Sequence, residues 1–203
     1  IRAGIIGMRS RGTYLMKAVS KVDGVEVGAI CDVDHEVLEA RAAEYQKNTN
    51  KTVAADRDLR ELLAAGDIDV VCVAAPNHWH VLAAVWGCQA GKDVYVEKPM
   101  SHTIWEGRQL VAAAEQTGRI VQVGTQRRSE PPWPRLVERL TDSVIGDRYT
   151  AYSNGPRARP PVPFRPHGPP PGNPAMPLTQ GPPPHHTTSP PHPPSQSHCI
   201  CAL

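Results

Sequence analysis

At 203 residues the chain has room for one domain and part of a second. Its formal charge is +2, but all 20 acidic residues lie at or before Asp147 and no basic stripe or aromatic ladder accompanies the excess, so the charge is not a nucleic-acid footprint. No apolar run reaches the length of a membrane span, and five cysteines without C-x-x-C or zinc spacing argue neither for a metal nor for an oxidised compartment.

In chain order, Ala3–Ile6 reads as a short apolar strand, Gly7 to Gly12 as a loop, and Thr13–Val22 as a helix whose apolar face is Leu15, Ala18, Val19 and Val22. Val25–Cys31 is predicted as a strand ending at Asp32, Asp34–Gln46 as a helix with Asp34 at its N-cap, and Asn48–Lys51 as a polar turn. Asp58 can cap a short helix through Leu63, and the β-branched run Val70–Ala74 reads as a buried strand. Trp79–Ala90 is expected to be a helix ended by Gly91, Val94–Val96 a strand, Thr103–Thr117 a helix closed by Gly118, and Ile120–Val123 a strand. Arg135–Leu140 is a last helical stretch and Tyr149–Tyr152 one more strand. Strands alternating with helices over about 150 residues predict an α/β fold, a Rossmann-type doubly wound parallel sheet.

The composition changes near Pro156. Residues 156–203 hold most of the 22 prolines and five of the nine histidines, with no acid and no aliphatic periodicity, and cannot bury enough apolar surface to offset the entropy of ordering. The expected division is residues 1–150 as a nucleotide-binding domain and 151–203 as a proline-rich disordered tail, where a second domain would be expected. A reading frame shifted or cut short in a GC-rich gene encodes a tail of this kind. The chain opens at Ile1, inside its first strand, and this start carries no information about location; the expectation is a cytoplasmic protein, with an exported one as the alternative if a signal segment was lost before Ile1.

Gly4-Ile5-Ile6-Gly7-Met8-Arg9-Ser10-Arg11-Gly12 follows a strand and opens a helix, the setting in which a glycine motif carries meaning. Against G-x-G-x-x-G, Gly7 takes the first position and Gly12 the third. Arg9 stands in the second, where glycine normally lets the backbone approach a pyrophosphate. A guanidinium there either fills that space or pairs with the phosphates, and the helix N-terminus still offers N–H groups and the positive end of a dipole. Asp32, 20 residues after Gly12, suits a carboxylate on the 2′-hydroxyl of an adenine ribose, which favours NAD over NADP. The alternative is a glycine-rich turn needed only for helix–sheet packing.

Ala74-Ala75-Pro76-Asn77-His78-Trp79-His80 ends another strand, at the sheet edge where ligands of such folds bind. Its His-x-His pair has no carboxylate or cysteine partner in view, so it reads as polar loop groups and a helix cap rather than a metal site. Lys98 follows Val94–Val96 in Glu97-Lys98-Pro99. The proline keeps the residue before it extended, and the ammonium points at the crevice, either as a general acid/base or as a salt-bridged surface lysine. Partial burial beside a cationic nicotinamide would suit it to proton transfer. Glu97 either orients Lys98 or caps the next turn. Thr125, Gln126, Arg127 and Arg128 follow the next strand and either face the ligand or are solvated.

Together, Gly4–Gly12, Asp32, the Ala75–His80 stretch, Glu97-Lys98-Pro99 and Val123-Gly124-Thr125-Gln126-Arg127-Arg128 resemble the glucose–fructose oxidoreductase / inositol dehydrogenase (Gfo/Idh/MocA) family over about residues 2–150. The Glu-Lys-Pro strand end is the most specific mark. The resemblance implies an NAD(P)-binding Rossmann domain followed by an α/β domain whose open sheet binds substrate and mediates homo-oligomers. It also implies oxidation of a sugar or cyclitol hydroxyl, with hydride passing to the nicotinamide. On this chain it implies Lys98 as the catalytic lysine, with Gly7, Met8, Arg9, Ser10, Arg11 and Gly12 around the pyrophosphate and Asp32 on the adenine ribose. Ala75, Pro76, Asn77 and His80 would lie along the cofactor, Glu97 near the nicotinamide ribose, and Gln126 among the further cofactor contacts.

Two departures stand out. Arg9 and Ser10 occupy positions where the family has small residues, often glycine. The resemblance also fades over Tyr149–Asn154, and no acid after Asp147 supplies the Asp/His pair that members draw from the second domain. Three functions remain in view. The first is an NAD-dependent oxidoreductase, or its cofactor half. The second is an NAD-dependent glycosidase of the same family, which eliminates a glycosidic substituent through transient oxidation. The third is a nucleotide-binding remnant without turnover. The expected partner is a carbohydrate or polyol, with no nucleic acid and no membrane.

Overall fold

Six strands form one parallel sheet: β1 (Arg2–Ile6), β2 (Glu26–Cys31), β3 (Ala54–Asp56), β4 (Val70–Val73), β5 (Asp93–Glu97) and β6 (Val121–Gly124). Their order is β3-β2-β1-β4-β5-β6, the doubly wound arrangement, with the winding reversing between β1 and β4. The structure, a computed structural model, describes residues 1–142 and 146. The predicted strand Tyr149–Tyr152 and the proline-rich segment lie outside the described residues.

Side-chain alternation along the strands builds two cores. Ile5, Ile30 and Cys72 face one layer, closed by α1 (Ser10–Val19) and α2 (His35–Thr49) through Leu15, Met16, Leu38 and Tyr45. Ile6, Cys31, Val71, Val73, Val94 and Val96 face the other. That layer is closed by α3 (Leu59–Ala64), α4 (His80–Gln89) and α5 (Ile104–Thr117), through Leu62, Ala84 and Leu110 among others. Ile5, Ile30 and Leu62 have no exposed surface, and burial of each stabilises the fold by about 2 kcal/mol. Lys92, also buried, donates from Nζ to the Ala65 carbonyl at 2.7 Å, which ties the start of β5 to the end of α3.

The helix starts follow the sequence closely. Asp34 accepts from the Glu36 and Val37 N–H groups, Asp58 from Arg60, and Thr103 forms a capping box with Glu106. Gly118 closes α5 at φ +64°. Several boundaries differ from expectation, and α2 runs on to Thr49, into the predicted Asn48–Lys51 turn. Helix α1 begins at Ser10 rather than Thr13, because the Gly12 N–H already closes a turn on the Arg9 carbonyl at 2.9 Å. It stops at Val19, where the Ser20 N–H and Oγ both turn onto the Met16 carbonyl. A single 3-10 turn, Asn77–Trp79, precedes α4. The last helix, α6 (Pro132–Thr141), starts three residues earlier than predicted, since prolines are tolerated in a first turn that lacks carbonyl partners anyway. Its Trp133, Leu136 and Val137 are exposed.

Candidate active site

The glycine loop is fixed by backbone contact. Gly7 sits at φ +88°, and a Cβ there would lie 2.7–2.8 Å from backbone atoms of Ala74 and Ala75. A Cβ on Gly12 would lie 1.7 Å from the Gly7 carbonyl oxygen. Both fingerprint glycines are therefore required by the turn itself. The second position is different: Arg9 has φ −80° and ψ 159°, an ordinary extended conformation that any residue adopts. Its side chain turns away from the loop and pairs with Asp34, the α2 cap. Ser10 takes φ +31°, and no side chain caps the N-terminus of α1 among the described residues. The Ser10 and Arg11 N–H groups of that helix thus have no side-chain partner, as an anion site requires.

Asp32 leaves the end of β2 and is almost fully buried. Its Oδ2 accepts the Met8 N–H at 2.6 Å and its Oδ1 accepts the Asp34 N–H at 3.0 Å, so the carboxylate locks the glycine loop as well as presenting its edge to the crevice. Beside it lies a largely apolar pocket of about 150 Å³ at the carboxyl ends of β1, β2, β3 and β4, with Gly7, Asp32, Arg57, Pro76 and Trp79 in its walls. Arg57, one residue past β3, lines this pocket, and its Nε and Nη2 are buried with no hydrogen-bond partner among the described residues.

Across the switch point, β5 ends on Glu97, whose carboxylate is buried. Arg11 donates from Nε to Glu97 Oε1 at 2.5 Å, the Tyr95 hydroxyl lies 3.5 Å from the same oxygen, and the Lys98 N–H donates to Oε2 at 3.3 Å. Burial alone would lower Arg11, but hydrogen bonding and charge from Glu97, with help from Tyr95, hold it above its ordinary value. Burial pushes Tyr95 up, and the Glu97 charge adds to this. A Cβ on Gly124 of β6 would sit 2.5 Å from the Tyr95 hydroxyl, so any side chain there would have to displace that hydroxyl. Arg11, expected at the pyrophosphate, is thus committed to Glu97 and stacks its guanidinium 4.5 Å over Tyr14.

Lys98 itself is exposed. Lys98 is not partly buried as expected, and it makes no ion pair among the described residues. Its position is held from behind by His80. That ring has 2% exposure, with Nδ1 2.7 Å from the Pro99 carbonyl oxygen and Nε2 2.8 Å from the Ala75 carbonyl oxygen. Each ring nitrogen lies against a carbonyl oxygen, and whichever carries the proton donates, so His80 sits between the β4 and β5 ends rather than offering a nitrogen to the cofactor crevice. Ala75 and Pro76 line the apolar pocket, and Asn77 begins the 3-10 turn. Gln126 starts a second 3-10 turn, Gln126–Ser129, with its buried Oε1 unmatched among the described residues, next to Arg11 and Tyr14. Among the described residues no cluster of His, Cys, Asp and Glu could hold a metal. Arg57 and Tyr95 went unnoticed in the sequence. Reading β3 would have placed Arg57 at the same carboxyl-end row as Asp32.

This sheet order, the glycine turn under an uncapped helix and an acid at the end of β2 define a dinucleotide-binding Rossmann domain. The family model described as the oxidoreductase family, NAD-binding Rossmann fold (Gfo/Idh/MocA) matches residues 1–125. The chain belongs to that family, and its domain is of the NAD-binding type. It is 38% identical over 122 residues to glycosyl hydrolase family 109 protein 1 of Shewanella sp. strain MR-4, covering 58% of this chain and 26% of that protein. It is 37% identical over the same length and shares to an alpha-N-acetylgalactosaminidase of Shewanella oneidensis. A solved structure of a putative myo-inositol dehydrogenase from Sinorhizobium meliloti superposes with a TM-score of 0.62 at 27% identity, over 72% of this chain and 42% of that one. The chain spans about a quarter of the length of the curated relatives it matches. No helix among the described residues is long and apolar enough to cross a membrane.

Proposed function

We propose that residues 1–150 form the cofactor unit of an NAD-dependent oxidoreductase acting on a sugar or cyclitol hydroxyl, with Lys98 as its acid/base. The observation that carries this reading is the placement of Lys98: an exposed side chain at the carboxyl end of β5, adjacent in sequence to the Pro99 that His80 clamps and joined through Glu97 to Arg11 in the glycine loop. The residues present fit NAD. The Gly7 and Gly12 turn and the first N–H groups of α1 would hold the pyrophosphate, Asp32 the adenine ribose, and the apolar pocket the adenine. When bound, NAD supplies the hydride acceptor. In its neutral amine form Lys98 takes the proton of the substrate hydroxyl at Nζ and becomes the ammonium, and Glu97 and His80 keep the lysine's backbone in register with the loop.

A second reading is favoured by one finding, the 37–38% identity to a family 109 glycosyl hydrolase and an α-N-acetylgalactosaminidase. In that case Lys98 performs the same proton transfer, and the substrate loses a glycosidic substituent. Calorimetric titration of NAD into the full chain, followed by polyol and nitrophenyl-glycoside assays, separates the readings. NAD reduction by a polyol supports the dehydrogenase, and nitrophenol release supports the glycosidase. Nucleotide binding without either leaves a binding remnant, and no binding by a folded sample refutes the cofactor reading. Lys98→Ala should hold NAD affinity within about 1 kcal/mol while turnover falls by about 10²–10⁴-fold. Equal loss of both would make Lys98 structural.

A further inference from the structure

Glu97 and Lys98 stand side by side at the end of β5, an acid and a base whose side chains form no ion pair with each other. The Glu97 side chain is only 5% exposed, and its oxygens are taken elsewhere. Oε1 accepts the Arg11 Nε–H at 2.5 Å, with the Tyr95 hydroxyl 3.5 Å away, and Oε2 accepts the Lys98 backbone N–H at 3.3 Å. Among the described residues Arg11 is the one cation paired with this carboxylate, and it comes from α1, across the switch point. The other groups around Glu97 are Tyr95 on its own strand, Cys72 on β4, and Gly124, level with it on β6; none is a cation. The turn beyond Gly124 carries Arg127, paired with Glu130, and Arg128. A buried carboxylate without a counter-charge favours the charged form of a neighbouring amine and holds it close. An acid/base needs the reverse: it must release its proton and reach the substrate.

We propose that Arg11 is a positioning residue for Lys98: by holding the Glu97 carboxylate in an ion pair, it leaves the lysine side chain unpaired and able to give up its proton in the crevice. The inference rests on the reading of Lys98 as the acid/base and adds a role for a charged side chain inside the glycine loop. Arg11 acts through Glu97 and touches neither substrate nor hydride. The same pair ties the helix whose N-terminus faces the pyrophosphate to the strand end that carries the lysine.

The test is the titration of Lys98 itself in the full chain, which requires neither cofactor nor turnover. The chain has six lysines, few enough to follow by NMR of 13C-dimethylated side chains, with the Lys98 signal identified by its loss in Lys98→Arg. Arg11→Met leaves Glu97 without its counter-charge and should raise the Lys98 pKa by about 0.5–1 pH unit at low salt. Glu97→Gln leaves Arg11 unbalanced and should lower it by a similar amount, and the double variant should return close to wild type. Arg11→Lys restores the charge and should stay within about 0.3 pH unit of wild type. A purely structural Arg11 would alter stability and leave this titration in place, so a change below about 0.2 pH unit in Arg11→Met would overturn the proposal. Shifts of one sign in both single variants would overturn it as well, since loosening of the strand end would then be the cause. Circular dichroism confirms folding, and if Arg11→Met does not fold, the downward shift of Glu97→Gln and the constancy of Arg11→Lys decide the matter. Calorimetry of NAD with wild-type protein tests the cofactor reading separately. Binding of NAD without the shifts refutes the role of Arg11 alone, and the shifts without NAD binding refute the cofactor reading alone.

Discussion

The substitution Gly12→Ala puts the glycine loop to a quantitative test. The new Cβ would start 1.7 Å from the Gly7 carbonyl oxygen and 2.8 Å from its carbon, both backbone atoms. Even a 3.0 Å contact requires an opening of about 1.3 Å, and no rotamer change can provide it. The Gly7 peptide cannot retreat freely, because its N–H is bound to the Cys31 carbonyl at 2.8 Å. Forced overpacking of this kind costs about 3 kcal/mol, the upper part of the usual range because the colliding groups are both backbone. Alanine returns about 1 kcal/mol as a better helix former, Gly12 lying in the first turn of α1. The net expectation is a loss of about 2 kcal/mol, or about 4–8 °C in Tm for a domain of this size. Urea denaturation followed by circular dichroism measures it, with NAD affinity expected to fall more than about tenfold as the loop is displaced. A change below about 0.5 kcal/mol would mean that the Gly7–Gly12 contact is not a constraint, and the reading of this loop would have to be abandoned.

Arg9→Gly, by contrast, removes only a surface ion pair with Asp34 and should change stability by less than about 1 kcal/mol, while NAD binds more tightly in the freed space; weaker binding would show that Arg9 reaches the phosphates. Replacing Glu97 by Gln leaves Arg11 facing a neutral partner and should cost about 1–3 kcal/mol, and a double-mutant cycle with Arg11→Met should give a coupling above about 1 kcal/mol; near-zero coupling would refute the tie. The Cys72 thiol is pushed up to about 12 by burial and by the Glu97 charge, whereas an unfolded thiol ionises near about 8.5. The native state keeps a proton that the unfolded chain gives up between those values. The contribution of Cys72 is therefore complete below about pH 8.5 and declines as pH rises, by about 1.4 kcal/mol per pH unit. Denaturant titrations at pH 8.5, 9.5 and 10.5 should show a shallower decline for Cys72→Ala, and an unchanged slope would count against burial as the cause.

Most of the sheet was legible because its signals are local. Val71 to Val73 and Val94 to Val96 announce buried strands by composition, while Asp34, Asp58 and Thr103 announce helices by side-chain caps. Strand β3 carried no such signal: Ala54 and Ala55 are exposed, and the segment is a strand only because Ala29–Cys31 pairs with it at the sheet edge. The site was legible to the same extent. The spacing of Gly7, Gly12 and Asp32 is set by one βαβ unit and survives in the sequence. The partnership of Arg11 with Glu97 spans 86 positions, and both nitrogens of His80 meet carbonyls that no side-chain pattern encodes. Each depends on how two strand ends meet across the sheet.

That meeting also sets an order in time. Strand pairs β1–β2, β2–β3, β4–β5 and β5–β6 join residues about 25 positions apart, but β1–β4 joins Ala3 to Val70, 67 positions along. Closing the longer loop costs about 0.9 kcal/mol more in chain entropy, and the two halves of the sheet can each assemble locally before the seam between them forms. The glycine loop hangs from one half and the lysine-bearing strand end from the other, so the crevice comes into being only at the last step of assembly. Pulse-labelled hydrogen exchange during refolding should find the β1–β4 amides protected after those of β1–β2 and β4–β5; earlier protection at the seam would contradict this sequence of events.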